Sequence, residues 1–325
     1  MLQDTVRTPD NPVFYGIGNA VIDIYAEAET FPEPLKKDEF LHVENSVLDS
    51  ILNSGIIEKM RTPGGAAVNI LKTAAHFGAQ CFFSGSTGTE LKNSELVHDE
   101  NARFIFNELK AAGIEAQLYS RLHPTGRCLI VKDENDCTAF AASPSAAKFI
   151  TEDQINEIRL SHSNCVIIEG LAFTDMKILG KITELCLYYN LPLAINAASV
   201  YGAEAIAPHI EDLSTILDIY LFANEAEAKI LCEKSSVDPK EYCRMFVVTK
   251  GKNGAEAWYN DFHAATDALP AIEVDTTGAG DAFAGAFLYR WFSSEQTENQ
   301  LSECLKFGSE AAKHIVEQLG CTWTD

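Results

Sequence analysis

The run VDTTGAGDAFAGAF at 274–287 sets two carboxylates, Asp275 and Asp281, around a stretch built from Thr, Gly and Ala. Small residues fill a core poorly, and Gly inside an element costs about 0.5–1 kcal/mol relative to Ala. The run therefore makes room for something other than a side chain. An apolar lead-in, ALPAIEV, and the helical apolar spacing of DAFAGAFLYRWF place Gly278, Ala279 and Gly280 at a helix N-terminus. Backbone N–H groups there lack partners within the helix and carry partial positive charge, which suits an anion. Asp281, just inside the helix, has two readings. One is a favourable charge on the helix dipole, worth about 0.3–1 kcal/mol. The other is a general base beside an anion hole, taking a hydroxyl proton while the N–H groups stabilise a phosphoryl group in transfer.

Two other phosphate loops are tested and fail. No G-x-x-x-x-G-K-[ST] string occurs, and TKGKNGA has its Gly and Lys at the wrong spacing. GIGNAVID at 16–23 supplies two glycines of a dinucleotide fingerprint, but Val21 stands where helix–strand packing needs Gly or Ala.

The elements that position the run alternate along the chain. Short apolar stretches at 13–18, 81–85, 164–170, 191–196, 219–224 and 246–251 read as strands. Helical periods fall between them at 66–78, 99–113, 174–190 and 224–232, and two more close the chain at 280–292 and 298–318. Such alternation means an α/β fold, a mostly parallel sheet covered on both faces, with ligands at the carboxyl ends of its strands. Residues 20–44 and 115–142 break the pattern with antiparallel-looking strands and polar turns at HPTG and DEND. They read as a small β lid; the alternative is edge hairpins of the main sheet.

Bulk composition narrows the partners. The net charge of −22, from 25 Lys and Arg against 47 Asp and Glu, argues against nucleic acid, whose phosphates need cations. The same field repels an anionic substrate unless a metal or oriented dipoles offset it. The nine cysteines form no C-x-x-C pair and sit mostly in apolar runs, as expected of reduced thiols in a cytoplasmic protein. The N-terminal segment lacks a signal-peptide pattern, and no apolar run reaches the roughly 18 residues of a membrane span.

DTTGAGDAFAGAF resembles the second signature of the ribokinase/PfkB family of sugar and nucleoside kinases, and GGAAVNILKTAAHFG at 64–78 resembles the first. GNAVID, TGRCLIV, NEAE (224–227), VTKGKNGA (248–255) and EAAKHIVEQLGC follow the family's order, so the resemblance spans nearly the whole chain. It implies a ribokinase-like three-layer α/β/α fold, with 1–19, 45–114 and 143–325 as the large domain and 20–44 and 115–142 as the lid. It also implies ATP as donor. Asp281 matches the family's catalytic base and Gly278, Ala279 and Gly280 its anion hole. Asn19 and Asp23 match residues that bind substrate hydroxyls, and Gly65 and Asn69 line the same pocket. Asn224 and Glu227 match an N-x-x-E motif that holds phosphates and hydrated Mg²⁺, Glu227 acting through water. Their spacing puts both on one helix face, and Asn224 also reads as a helix N-cap. Thr249, Gly251 and Gly254 match the loop beside the nucleotide. Members of the family often respond to a monovalent cation near the loop matching Asp275–Thr277, so K⁺ is an option there.

Several details lean towards the adenosine kinase-like branch: the form of GNAVID, HPTGRCLIV followed by FAASPSAAKF, and LPLAINAAS, where Asn196 stands alone of the D-x-N-x-R strand of many sugar kinases. Ala66 and Ala67 depart from that branch. GSTGTELKNSELVHDENARF (85–104) departs from G-x-x-G-D-D-x-x-G, with Glu90 the nearest acid. The leading expectation is phosphorylation of a 5′-type hydroxyl of a ribonucleoside, with Phe40, Phe140 and Phe173 as candidate faces for a base or, alternatively, core residues. The rivals are a free-sugar kinase acting on ribose or fructose and a catalytically silent ligand sensor. A monomer and a homodimer paired through the lid are both compatible with the chain.

Overall fold

The computed structural model describes residues 11–323 apart from Asp38 and Asp136. The start of the first large-domain segment, and with it most of the stretch read against a signal peptide, lies outside the described residues.

The apolar strands expected from the sequence form one sheet because each buries both faces. In Val13–Ile17, Phe14 joins one core cluster while Tyr15 and Ile17 join the other. Cys165–Glu169, Leu193–Asn196 and Ile219–Asn224 divide in the same way, as parallel strands covered on both sides do. Across the sheet the order is Phe262–Thr266, Ala255–Tyr259, Met245–Thr249, Ile219–Asn224, Leu193–Asn196, Cys165–Glu169, Val13–Ile17 and Gln80–Lys92. Glu95–His98 and Ile114–Arg121 both pair with Gln80–Lys92. From Met245–Thr249 to Gln80–Lys92 every neighbour is parallel; the hairpin Ala255–Thr266 is antiparallel. Helices Ala66–His76, Ala279–Phe292 and Glu298–Val316 cover one face with side chains such as Ile70, Phe287 and Leu305, and Met176–Tyr189 and Glu225–Lys234 help cover the other.

A second sheet of five strands runs Phe40–His42, Thr138–Ser143, Gly126–Asp133, Val21–Ala28 and Ile57–Gly64. Ile22, Ile24, Leu129, Val131, Ala139 and Ala141 turn one face of it into the core. Only Gly18, Asn19 and Ala20 separate strand Val13–Ile17 of the large sheet from Val21–Ala28 of the small one.

This division differs from the expected lid boundaries in two places. Ile57–Gly64, which the sequence reading left in the large domain, is an edge strand of the small sheet. Its sequence, IEKMRTPG, is polar and exposed over its first half and carries Pro63, as edge strands tolerate, so it gives almost no strand signal. Ile114–Arg121, read as lid, pairs in parallel with Gln80–Lys92 in the large sheet.

The irregular 85–104 segment is also accounted for. Gln80–Lys92 runs past the sheet and turns back as Glu95–His98, with Asn93 and Ser94 both left-handed (φ 50° and 67°) in a two-residue turn. Asp99, not Glu90, is the acid that serves the following helix. Its Oδ1 accepts from Ala102 N at 2.8 Å and Thr125 Oγ1 at 2.6 Å, and its Oδ2 from Thr125 N at 2.7 Å. Glu90 pairs with Arg103 at the surface, 2.9 Å away. Among the described residues no helix is long and apolar enough to cross a membrane, and all nine cysteines are free thiols.

Candidate active site

Because the central strands are parallel, their carboxyl ends share one edge. There the chain sets Asn19 just past one strand, and Glu169, Asn196, Asn224 and Thr249 each at a strand's last position. Register makes them neighbours: Glu169 lies opposite Asn196, and Asn224 opposite Thr249. Helix Ala279–Phe292 meets this edge with its N-terminus.

Asp281 is held by two amides. Asn69 Nδ2 donates to its Oδ2 at 3.0 Å and Asn196 Nδ2 to its Oδ1 at 2.9 Å. Asn196 is itself oriented, its Oδ1 accepting from Ala198 N at 2.9 Å. Gly278 caps the helix in the left-handed region (φ 78°), a conformation only Gly adopts freely, and a Cβ there would lie 2.7 Å from Cys321 Cβ. Gly280 is exposed, with open space around it. The N-terminus of the helix is thus bare backbone in front of a fixed carboxylate.

The pairing of Asn69 with Asp281 depends on close helix contact. A Cβ on Gly285 would lie 2.4 Å from Ile70 O, so the two helices touch backbone to backbone at that point. Gly65 precedes helix Ala66–His76 at φ 108° and ψ 136°, and a Cβ there would lie 2.1 Å from Asn19 O. Asn19, Gly65 and Asn69 are therefore brought together, and Asp23 lies against Gly64 in the adjacent strand.

Sequence reasoning passed over three residues here. Glu169, 3% exposed, accepts from Asn19 N at 2.5 Å and from Ala66 N at 3.0 Å. Lys72 is buried, donating to Thr62 Oγ1 and Pro63 O at 3.1 Å each. Asn196 drew notice as a remnant of a sugar-kinase motif, not as a partner of Asp281. A lone acid ending the apolar run VIIE carries a signal: an unpaired carboxylate in a buried strand needs donors.

The second cluster lies further along the same edge. Asn224 and Glu227 form a reciprocal cap, with Glu227 N donating to Asn224 Oδ1 at 2.9 Å and Asn224 N to Glu227 Oε2 at 2.8 Å. Thr249 ends its strand, Gly251 and Gly254 take positive φ (52° and 89°), and Lys250 N closes the loop on Gly254 O at 2.7 Å. A cleft of about 430 Å³ opens beside it, lined by Glu225, Lys250, Asn253, Glu256, Thr266 and Asp267. Asp275 is committed to its own loop. Its Oδ1 accepts from Thr277 N and Oγ1 at 3.0 and 2.8 Å, and its Oδ2 from Gly320 N at 3.0 Å.

Of the candidate aromatics, Phe173 is 4% exposed and packs in the core against His209, so it is no platform. Phe40 and Phe140 are different. Register runs from Asp23 through Cys128 and Ala142 to His42, and in the next row from Tyr25 through Ile130 and Phe140 to Phe40. Both rings therefore stand on the face of the small sheet that carries Asp23. They stack 6.0 Å apart, and Phe40 is 52% exposed.

Burial pushes Asp281 up to about 7; the Asn69 hydrogen bond opposes this, and the charges of Glu169, Glu227 and Asp23 add to it. Burial also pushes Asp23 up to about 7, against the pull of Lys72 and with help from Asp275. Glu169 and Glu227 are raised by burial too, countered by the N–H groups they accept. An Asp that titrates near 3.8 unfolded and near 7 folded holds more protons when folded across that interval, so stability rises as pH falls through it. The ligand-free protein is expected to melt higher at about pH 5.5 than at about pH 7.5. A melting temperature that climbs over that range in thermal denaturation contradicts the burial of these acids.

A carboxylate aligned at a bare helix N-terminus, at the carboxyl edge of a mostly parallel sheet with a small sheet beside it, is the equipment of a phosphotransferase with an alcohol acceptor. The model of the pfkB family carbohydrate kinases matches residues 58–324, and the chain belongs to that family. It is 27% identical over 279 residues to fructokinase-1 of Zea mays, covering 77% of this chain and 81% of that one. To adenosine kinase 2 of Arabidopsis thaliana it is 24% identical over 357 residues, covering 96% of each. The crystal structure of adenosine kinase from Sinorhizobium meliloti shares the fold with a TM-score of 0.81 at 22% identity, over 96% of this chain and 95% of that one.

Proposed function

We propose that the protein transfers the γ-phosphoryl group of ATP to a 5′-type hydroxyl of a ribonucleoside. The observation that carries the reaction is Asp281, with both oxygens oriented by Asn69 and Asn196 in front of the Gly278–Ala279–Gly280 backbone. In this reading Asn19, Asp23, Gly65 and Asn69 hold the acceptor's hydroxyls, and Asp281 takes the proton of the attacking one. The helix N-terminus stabilises charge on the group in transfer. Thr249, Gly251 and Gly254 border the nucleotide.

Mg²⁺ would be held near Glu227, which keeps Oε1 free of its own cap and so suits a water-mediated contact. The ion would neutralise phosphate charge in a chain with few Lys and Arg. Asp275 Oδ1 accepts two hydrogen bonds and Oδ2 one, which leaves Oδ2 a lone pair for a cation such as K⁺; no step is assigned to a monovalent cation.

The stacked pair of exposed Phe40 and half-buried Phe140 on the Asp23 face supports a base-bearing acceptor. Similarity to fructokinases supports the second reading, a free-sugar kinase. ATP turnover across a panel of ribonucleosides, ribose and fructose, in wild type and Phe140→Ala, separates them. A ribonucleoside is expected to turn over, with its KM raised about tenfold in the variant, the size of a lost base stack. Turnover of free sugars alone, unchanged in Phe140→Ala, replaces the nucleoside reading with the sugar one.

A further inference from the structure

Glu169 touches neither Asp281 nor the nucleotide loop, yet it sits between the two segments proposed to hold the acceptor. Its Oε1 accepts from Asn19 N at 2.5 Å. Its Oε2 accepts from Ala66 N at 3.0 Å and Ala67 N at 3.4 Å, the first free N–H groups of the helix that carries Asn69. Asn19 belongs to the crossing from the large sheet to the small one, and Ala66 follows Gly65 (φ 108°); the ladder between the two segments ends at the pair Val21 and Gly64, and past that pair Glu169 is what bridges them. Gly18 is shaped around the same carboxylate, since a Cβ there would lie 2.9 Å from Glu169 Oε1. A carboxylate accepting several backbone N–H bonds while buried is a strong tie, because every one of those donors would otherwise lack a partner.

We propose that Glu169 is a positioning residue for phosphoryl transfer, its carboxylate tying the Asn19 turn to the start of helix Ala66–His76 so that Asn19, Gly65 and Asn69 present one surface to the acceptor. This rests on the acceptor site described under the proposed function. The charged groups around Asp281 are Asp23, Glu169 and Glu227, with the Cys321 thiol alongside and Lys72 as the cation next to Asn69 and Asp23. Glu169 therefore also acts on Asp281 through space, and removing its charge makes Asp281 the stronger acid.

The test pairs Glu169→Gln with Gly18→Ala. Gln keeps the shape but turns an N–H₂ toward donors that need an acceptor, whereas Ala at 18 crowds the carboxylate and leaves its charge in place. Both variants are expected to raise the acceptor KM by about tenfold or more, with the ATP KM and kcat within about threefold. Only Glu169→Gln is expected to move the acid limb of kcat/KM to lower pH. Hydrogen exchange without substrate supplies a readout independent of turnover: peptides spanning 18–20 and 64–69 should exchange about tenfold faster or more in Glu169→Gln. Wild-type exchange there overturns the proposal, whatever acceptor the enzyme uses. So does a wild-type acceptor KM in both variants, or an equal loss on acceptor, ATP and kcat. A wild type that phosphorylates nothing in the panel, with exchange altered as expected, overturns the assigned acceptor and leaves the tie standing.

Discussion

Asp281→Asn is expected to lower kcat roughly 10²–10⁴-fold, the usual contribution of a positioned general base, with both KM values changed little. The amide has nearly the shape of the carboxylate, so the helix N-terminus and the Asn69 and Asn196 side chains stay close to their places. What changes is chemical. Asn cannot take a proton, and it offers one oxygen where two Nδ2 groups now donate, so one hydrogen bond is also lost. In the wild type, kcat/KM should fall on the acid side of an apparent pKa near 7, because Asp281 is pushed up to about 7 and works only when ionised. Coupling with Asp23 makes that value a property of the group rather than of one residue. Asp281→Asn should flatten that limb. A variant with more than about a tenth of wild-type kcat means that the base lies elsewhere.

The second large effect comes from backbone. Gly65→Ala places a methyl 2.1 Å from Asn19 O in a φ region that only Gly occupies readily. The dihedral strain alone is worth about 1–3 kcal/mol. The overlap adds to it, because the obstacle is a carbonyl rather than the end of a flexible side chain. To relieve it, the Asn19 turn and the start of helix Ala66–His76 must separate, and they are the two walls of the proposed acceptor site. The acceptor KM is expected to rise about a hundredfold or more, with a lower melting temperature. Gly55→Ala is the matching control: Gly55 also has positive φ (95°), but nothing lies within 4 Å of its Cβ position. It should lose stability by about 1–2 kcal/mol and leave the kinetics alone. Equal kinetics in Gly65→Ala and wild type would mean that the acceptor does not use this wall.

How much of this was legible follows from what each residue's neighbours in sequence reveal. GAGD announced itself because small residues and a carboxylate before an apolar helical run have few other uses. The strands were legible because burial on both faces makes them continuously apolar. The cap at Asn224 and Glu227 was readable from i, i+3 spacing, and both halves of it formed. Glu169 and Lys72 were not, since their partners are backbone groups about a hundred residues away or on a neighbouring strand, which no local pattern reports. The edges of the small sheet failed for another reason. Ile57–Gly64 is half exposed and carries Pro63, and Ile114–Arg121 alternates like any edge strand, so which sheet each one joins is decided by tertiary pairing alone. Glu90 is the acid nearest the G-x-x-G-D-D-x-x-G pattern, but the hairpin at 89–98 intervenes, so the acid that caps the next helix is Asp99, nine residues further on.

That hairpin gives the molecule a practical handle. Its two ends are tied without its help: Asp99 N donates to Gly88 O at 3.1 Å, and Gly88 N to Thr125 Oγ1 at 2.8 Å, with Thr125 in turn held by Asp99. Closing a longer loop between ends already joined costs only about 0.6 kcal/mol per doubling of its length. The tip at Asn93 and Ser94 is thus a natural splice point, where a reporter or affinity module can be inserted in frame while the strands, the Asp99 clasp and the carboxyl edge of the large sheet keep their connections.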